Sequence, residues 1–341
     1  MPPLTDHPLD IALAWAQAGR RVALATVIEA WGSAPRKPGA HLVIDDQGAF
    51  EGSVSGGCVE GAVIAEAPDV IAHGTPRMLD FDVTDAMALR AGLSCGGKIR
   101  IHLMPLAPVL PVLPEIVRAR AARKGCVLIT DLSTGASRVA GADPADLLAA
   151  PIATCRTTGK AQTDGESFLN PILPALRLFL IGAVHITQSL APMARQMGLE
   201  VIVIDPRSAF ATTARLPGTM LITDWPDTAL TELPPDRWSA LAALSHEPSI
   251  DDPALIAALR ANCLYVGALG SRKTHAARLK RLHAAGLSTE QTARIHAPIG
   301  LPIGAATPPE IALATLAQII AARRGAPAPA GGNRRVAVFR A

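Results

Sequence analysis

Apolar residues in the first hundred positions recur first with helical spacing and then in short, strand-like runs. Residues 8–19 place apolar side chains three and four positions apart, which predicts an amphipathic helix. The runs RVALATVI (21–28) and HLVID (41–45) are short and apolar, as in strands. KIRIHLM (98–104) alternates polar with apolar positions, as in a half-buried strand. We therefore predict an N-terminal α+β domain that spans residues 1–105.

The middle of the chain has a mixed pattern that starts with a proline-rich stretch. Residues 105–114 contain four prolines, which favours a connection over a regular element. A helix at 112–124 and strands at 126–131 and 136–140 are predicted after it. We interpret residues 106–174 as a connecting segment of mixed α/β structure.

From residue 176 onward, buried strands and amphipathic helices alternate. The predicted elements include strands LRLFLIG (176–182), EVIVID (200–205) and CLYVGALG (263–270), and helices at 186–197, 252–261, 272–284 and 308–323. Such alternation is typical of a doubly wound parallel sheet. We therefore predict a Rossmann-like doubly wound parallel-sheet domain over residues 175–325, followed by a flexible tail at 326–341.

Composition narrows the function more than it narrows the fold. Only 3% of the 341 residues are aromatic, which disfavours a base-stacking surface for single-stranded nucleic acid. A net charge of +3 is too small to indicate a nucleic-acid or membrane partner. The five cysteines form no CxxC pair, so we expect a reducing, cytoplasmic environment. No uninterrupted apolar run is long enough to predict a membrane-spanning helix.

Two glycine pairs lie beside a cysteine, and the first pair opens a predicted helix. In GSVSGGCVE (52–60), outward-facing N–H groups are expected, and glycine lets a ligand approach them closely. GLSCGG (92–97) has the same character just before a strand. The candidate binding residues here are Ser55, Gly56, Gly57, Cys58, Ser94, Cys95 and Gly96. The alternative is that the glycines serve tight packing and that both cysteines are buried core residues.

The first turn of the Rossmann-like domain reads Gly182-Ala183-Val184-His185. A dinucleotide fingerprint, GxGxxG, requires a glycine where this chain has Val184. Asp205 ends the next strand about 20 residues further on, where a ribose-binding carboxylate is found in such domains. Gly182, His185 and Asp205 are therefore candidate cofactor-binding residues, with NAD(P) as a candidate cofactor. A degenerate Rossmann domain without a nicotinamide cofactor is the alternative.

Basic residues open the helix that follows the strand at 263–270. Arg272 and Lys273 fall in its first turn, where cations are repelled by the positive end of the helix dipole. An anion that binds between them would offset this repulsion. The predicted anion site consists of Gly270, Ser271, Arg272 and Lys273. A solvated basic face is the alternative, and we expect Arg278, Lys280 and Arg281 to belong to such a face.

Three further side chains are candidates because of the segments that carry them. Arg36 lies in a Gly/Pro loop at 30–39 and is suited to clamping an anionic group. His246 follows a predicted strand, at the sheet edge where ligands bind in open α/β folds. His296 lies in a second Gly/Pro loop. A solvated connection for Arg36 and structural roles for the histidines, His185 included, are the alternatives.

Together these clusters resemble the xanthine dehydrogenase accessory proteins, the XdhC/CoxI family. The similar stretches are WGSAPRKPGA (31–40), GSVSGGCVEGAV (52–63), GLSCGG (92–97), LSHEPSIDDPAL (244–255), YVGALGSRKTHAARLKRL (265–282) and RIHAPIGLPIGAATPPEIALATLAQIIAARRG (294–325). They recur in the family's order at both ends of the chain, whereas residues 105–170 carry little of the resemblance. The family usually has GAGH where this chain has Val184, which argues against a nucleotide bound in the standard pyrophosphate manner.

The resemblance implies an N-terminal domain followed by a Rossmann-like domain, and a role in maturing molybdenum hydroxylases. Similar proteins bind molybdenum cofactor (molybdopterin, in some cases as its cytosine dinucleotide), protect its sulfurated form and pass it to the apo-enzyme. The resemblance further implies a homodimer, an apo-molybdenum hydroxylase as partner and contact with a cysteine desulfurase. It thus points to a cofactor-insertion chaperone more than to an enzyme, and the composition leads us to expect no nucleic-acid or membrane partner.

The candidate residues divide naturally between the two ends of such a cofactor. Cys58 and Cys95 are expected near the metal end, as molybdenum or sulfur contacts, because thiolates suit a soft metal. Arg36, Arg272 and Lys273 are expected to hold the anionic end. Two other functions stay open from the sequence: an NAD(P)-dependent oxidoreductase, and an interaction scaffold without a cofactor of its own.

Overall fold

A computed structural model describes residues 7–32, 36–83, 97–141, 143 and 145–325. These residues divide into two compact units, one that ends at Pro174 and one that begins at Ala175. The predicted tail at 326–341 lies outside the described residues.

The N-terminal unit contains two antiparallel sheets and four described helices. Its elements in chain order are α1 (Pro8–Gln17), β1 (Val22–Gly32), β2 (His41–Asp45), β3 (Phe50–Gly52), α2 (Glu60–His73), β4 (Arg77–Val83), β5 (Gly97–Pro105), α3 (Leu113–Ala121), β6 (Cys126–Asp131), β7 (Ser137–Val139), α4 (Ala149–Thr158), β8 (Gln162–Asp164) and β9 (Ser167–Ile172). The first sheet has the strand order β3-β2-β1-β5-β4 and the second has the order β7-β6-β9-β8.

The first sheet positions the glycine-rich loop. Strand β1 is the central strand of this sheet and pairs with β2 and β5. The apolar side of α2 packs against one face of these three strands. Val63, Ala67 and Val70 of α2 are fully buried, at the spacing of one helix face. The loop from Ser53 to Val59 therefore joins a fixed edge strand to a fixed helix.

The segment predicted as a connection contains more regular structure than its sequence pattern indicates. It holds α3, α4 and all four strands of the second sheet, in which β9 pairs antiparallel with β6. The sequence pattern of residues 141–175 does not predict α4, β8 or β9, because these elements are short and lack a strong hydrophobic period. The domain boundaries themselves stay a prediction.

The C-terminal unit is a parallel sheet with helices on both faces. Its elements are β10 (Arg177–Ile181), α5 (His185–Gln196), β11 (Glu200–Ile204), β12 (Met220–Ile222), α6 (Pro226–Glu232), β13 (Ser239–Ala243), α7 (Pro248–Arg260), β14 (Tyr265–Ala268), α8 (Arg272–Ala284), α9 (Thr289–Thr292), β15 (Ile295–His296) and α10 (Pro308–Arg324). The strand order is β12-β11-β10-β13-β14-β15, the doubly wound order that reverses between β10 and β13. The predicted fold class is therefore confirmed.

Two apolar clusters fix this sheet between its helices. Leu178, Leu180 and Leu190 belong to the cluster on one face, and Phe179, Ile181 and Leu255 to the cluster on the other. The strands are buried on both faces, which explains their nearly continuous apolar sequences. Because the strands are parallel, their carboxyl ends all lie at the same edge of the sheet, which is where ligands bind in open α/β folds.

Candidate functional site

The glycine-rich loop of the N-terminal unit closes around the side chain of Glu60, the first residue of α2. Four consecutive backbone N–H groups, those of residues 54–57, donate to its carboxylate oxygens at 2.8 to 3.2 Å. The Ser53 hydroxyl donates to Oε1 at 2.7 Å, and the Ser55 hydroxyl donates to Oε2. Six donors thus converge on one buried carboxylate.

Hydrogen bonds, not exposure, keep this carboxylate charged. Burial by itself acts to raise the pKa of Glu60, but donation from the hydroxyls of Ser55 and Ser53 and from the loop backbone outweighs it and lowers the pKa to about 2. The anion that these N–H groups are predicted to bind is therefore the chain's own carboxylate. The sequence analysis did not identify Glu60. An acidic residue in the first turn of a helix, after a Ser/Gly loop, is a recognised sign that its carboxylate caps the backbone N–H groups at the helix N-terminus.

Cys58 lies at the rim of this fixed loop. Its N–H donates to Ser55 Oγ at 3.0 Å, and its half-buried Sγ lies 3.9 Å from the Ser55 carbonyl oxygen. Next to it, Gly57 has φ = +120°, and an added Cβ would meet nothing within 4 Å. The half-buried Cys58 side chain also packs against the apolar cluster of the first sheet, beside an open stretch of backbone at Gly57.

The other N-terminal candidates are less defined. Arg36 is exposed in the segment that follows β1. Ser94, Cys95 and Gly96 lie outside the described residues, so whether Cys58 and Cys95 meet stays a prediction. Of the remaining cysteines, Cys155 and Cys263 are buried, and burial raises the pKa of each thiol.

In the C-terminal unit, the turn between β10 and α5 lies against the end of β13. Gly182 has φ = +102°, and a Cβ there would approach the Ser245 backbone nitrogen to 2.9 Å, so only glycine fits. His185 is exposed as the first residue of α5, and the N-cap residue Val184 makes no side-chain cap bond.

Asp205 is fully buried and bound by the chain itself. Its Oδ2 accepts the Ala183 N–H at 2.8 Å, and its two oxygens accept Nε and Nη2 of Arg207 at 2.8 Å each. Arg207 also donates to Glu247 Oε1 at 2.7 Å. Burial acts to raise the pKa of Asp205, but the bonds from Arg207 and Ala183 hold it below its usual range. In this arrangement Asp205 and Arg207 link the segments that follow β10, β11 and β13, and both Asp205 oxygens accept hydrogen bonds from the chain itself.

The basic turn before α8 is open. Gly270 has φ = +135°, and Ser271 caps the helix by accepting the Thr274 N–H at 3.2 Å. Arg272 and Lys273 are exposed in a first turn that contains no acidic residue. Cations in a first turn oppose the helix dipole, and a bound anion would offset this repulsion, so the anion site at this turn stays a prediction.

The two loop histidines differ in their surroundings. His246 is exposed three residues after the end of β13, with the left-handed φ of +66°. His296 is half-buried in β15 and stacks on the Tyr265 ring, with ring centroids 4.9 Å apart, and burial lowers its pKa. His246 thus faces outward at the carboxyl edge, whereas His296 is part of the sheet's packing.

One expectation for α8 is wrong. The sequence predicts Arg278 on a solvated basic face, but it is only 2% exposed. It is four residues before the buried Leu282, so both side chains lie on the helix face that packs inward. Lys280 and Arg281 are exposed as expected, and Arg281 pairs with Asp252.

Two further features bear on the predicted chemistry. Within the described part of the chain, no three His, Cys, Asp or Glu side chains are grouped so as to hold a metal ion. None of the described helices is long and apolar enough to cross a membrane.

Sequence comparison relates both units to known proteins. The family model for the XdhC and CoxI family matches residues 15–82, and the model for the XdhC Rossmann domain matches residues 178–319. The molybdenum cofactor insertion chaperone PaoD of Escherichia coli (strain K12) is 29% identical over 329 residues, covering 93% of this chain and 89% of that protein. A probable xanthine dehydrogenase subunit of Bacillus subtilis (strain 168) is 28% identical over 320 residues, covering 88% of this chain and 93% of that protein.

Structural comparison agrees with the sequence matches on the fold. The crystal structure of a xanthine dehydrogenase from Bacillus halodurans superposes with a TM-score of 0.72 and 24% identity, covering 94% of this chain and 96% of that chain. The two family models together match more than half of the chain, and they match it in both units. The chain belongs to the XdhC and CoxI family.

Proposed function

We propose that this protein is a molybdenum cofactor-binding maturation chaperone that protects the sulfurated cofactor and inserts it into an apo-molybdenum hydroxylase of the xanthine dehydrogenase, aldehyde oxidase or CO dehydrogenase type. One relative is named as a molybdenum cofactor insertion chaperone and another as a component of xanthine dehydrogenase. The observation that carries the proposal is the Cys58 thiol, half-buried on a loop that Glu60 holds in place.

The residues fit the chemistry of such a cofactor. When bound, the cofactor supplies a soft, sulfur-ligated molybdenum atom at one end and an anionic phosphate at the other. The Cys58 thiol is the kind of ligand that a soft metal or its sulfur prefers, and its fixed loop lowers the ordering cost of binding. In the C-terminal unit, taken by itself, Arg272 and Lys273 at the start of α8 are exposed cations of a kind that binds phosphate. The glycine-rich loop itself offers that phosphate no free N–H group from residues 54–59, since Glu60 accepts those of 54–57 and Ser55 Oγ accepts those of Cys58 and Val59.

The oxidoreductase alternative is less well supported. A ribose-binding carboxylate must reach the ligand, but Asp205 is fully buried and bound to Ala183 and Arg207. The standard fingerprint also lacks its second glycine, at Val184. The cytosine dinucleotide form of the cofactor, a homodimer, contact with a cysteine desulfurase and a cytoplasmic location stay predictions.

Purification with molybdopterin tests the proposal. The protein is isolated from cells that make the cofactor, and bound pterin is oxidised and measured by fluorescence. We expect bound pterin in the wild type, and about tenfold weaker retention in Cys58→Ala or Cys95→Ala, as for the loss of about 1.4 kcal/mol of contact energy. Cys126→Ala, at a half-buried position in β6, is the matched control and is expected to behave as wild type.

The outcomes separate the three functions. Wild-type retention in both Cys58→Ala and Cys95→Ala would refute the thiol contacts. No pterin in the wild type would refute the chaperone. An interaction scaffold or an oxidoreductase would then remain, and tight NAD(P)H binding with substrate turnover would identify the latter.

A further inference from the structure

Helices α7 and α8 enclose two buried charges behind the carboxyl edge of the parallel sheet. Asp251 of α7 is 1% exposed and Arg278 of α8 is 2% exposed. Asp251 Oδ1 accepts the Ser245 hydroxyl at 2.7 Å and the Ser245 N–H at 3.2 Å. Arg278 Nη2 donates to the Leu269 carbonyl oxygen at 2.9 Å. Each charge therefore holds the turn at the end of one strand, β13 or β14.

The two charges form a long ion pair with no hydrogen bond between them. Arg278 Nη2 lies 3.8 Å from Asp251 Oδ2, beyond hydrogen-bond distance. Asp251 Oδ2 and the Nε and Nη1 atoms of Arg278 are buried and have no hydrogen-bond partner in the described structure. Burial raises the pKa of Asp251 and lowers that of Arg278. Buried polar atoms are almost always paired in proteins, so unpaired ones at a sheet edge need a reason.

Holding the two helices together is not a sufficient reason. A second, close ion pair already joins the same two helices nearer the surface. It is formed by Arg281, about one helical turn after Arg278, and by Asp252, the residue after Asp251. That pair has its hydrogen bonds made, and the Arg281 side chain stays 40% exposed. Unlike Arg281 and Asp252, the members of the buried pair hydrogen-bond to the two turns.

These turns carry the residues that face outward at the edge. The turn after β13 contains Ser245 and His246, and the turn after β14 leads from Leu269 to the exposed Arg272 and Lys273. We propose that Asp251 and Arg278 are positioning residues, which fix the distance between the β13 and β14 turns so that both contact one anionic ligand. The identity of that ligand, the phosphate end of molybdopterin, rests on the proposed function.

A double substitution separates positioning from stability. Asp251→Asn and Arg278→Met each leave one buried charge alone, so both are expected to lower Tm and pterin retention. Asp251→Asn/Arg278→Met removes both charges and is expected to regain most of the wild-type Tm, while pterin retention stays at least fivefold below wild type. Asp252→Asn/Arg281→Met, on the same helices, is the control that retains pterin normally. Recovery of retention together with Tm in the buried double variant would overturn the proposal.

Hydrogen exchange tests the same residues without any ligand. In the full chain, Arg278→Met is expected to speed amide exchange in peptides covering residues 268–274 and also in those covering 244–248, which Arg278 does not hydrogen-bond. Arg281→Met is expected to change neither. Faster exchange confined to 268–274 would contradict a fixed distance between the turns. If wild-type protein binds no molybdopterin, the proposed function fails, whereas this exchange result still decides the role of the pair.

Discussion

Replacing Glu60 by glutamine tests whether one carboxylate organises the glycine-rich loop. The residue is 8% exposed and accepts six hydrogen bonds from the loop. A glutamine side chain fits the same space, but its NH₂ group is a donor and faces backbone N–H groups that are also donors. Glu60→Gln therefore leaves part of the loop unsatisfied without creating a cavity.

The expected magnitude follows from the pKa of this carboxyl group. The fold lowers the pKa of Glu60 from 4.5 to about 2, and each unit corresponds to 1.36 kcal/mol, so the charged form contributes about 3 kcal/mol at neutral pH. Because the pKa is depressed in the folded state, this contribution is complete above pH 4.5. It is lost as the pH falls from there through about 2.

Urea unfolding followed by circular dichroism measures the effect. At pH 7 we expect Glu60→Gln to lower the free energy of unfolding of the N-terminal unit by about 2–4 kcal/mol, and the difference from wild type to shrink as the pH approaches 2. Glu51→Gln, at an exposed glutamate of β3, is the control and is expected to change the free energy by less than about 0.5 kcal/mol. Equal stability of wild type and Glu60→Gln at pH 7, or a difference that does not shrink in acid, would refute the reasoning.

Two further predictions concern a histidine pair and a glycine. Burial lowers the pKa of His7 and of His41 from 6.5 to about 3, so the N-terminal unit should lose up to about 1.4 kcal/mol per pH unit for each histidine as the pH falls below 6.5. Urea titrations between pH 7 and 5, above the range in which Glu60 titrates, measure this slope, and a flat profile would contradict it. Gly182→Ala places a Cβ 2.9 Å from the Ser245 nitrogen at a left-handed φ, and is expected to cost more than about 2 kcal/mol. Gly286→Ala, at φ = +87° with nothing within 4 Å, should cost only the backbone strain, and equal losses in the two variants would exclude the clash.

Local sequence patterns are sufficient for most of the elements. The predicted helix at 272–284 and the predicted strand at 126–131 have the bounds that the structure shows, because each is a continuous run with a clear period or apolar core. The strands of the parallel sheet are equally legible, since burial on both faces requires uninterrupted apolar residues. Short elements such as α4 and β8 escape prediction, because three to ten residues without a strong period carry too little local signal.

The candidate site is only partly predictable from the sequence, because local patterns show the order of residues but not which groups the fold brings into contact. Gly270, Ser271, Arg272 and Lys273 can be placed at a strand-to-helix turn from their order alone. The position of Glu60 in the first turn of α2 indicates a capping residue, but it does not show that this one carboxylate accepts four of the loop's N–H groups. That result depends on how the loop closes on the helix.

The sequence by itself determined where strands end and helices begin, and hence that polar and basic residues gather at one edge of a parallel sheet. Only the tertiary structure decided which of these charges are buried and what they contact. Asp205 binds the Ala183 N–H across two strand ends, and Arg278 is enclosed beside Asp251 of another helix. Desolvation and pairing depend on groups brought together from distant parts of the chain, so they decide a side chain's chemistry only once the fold has formed.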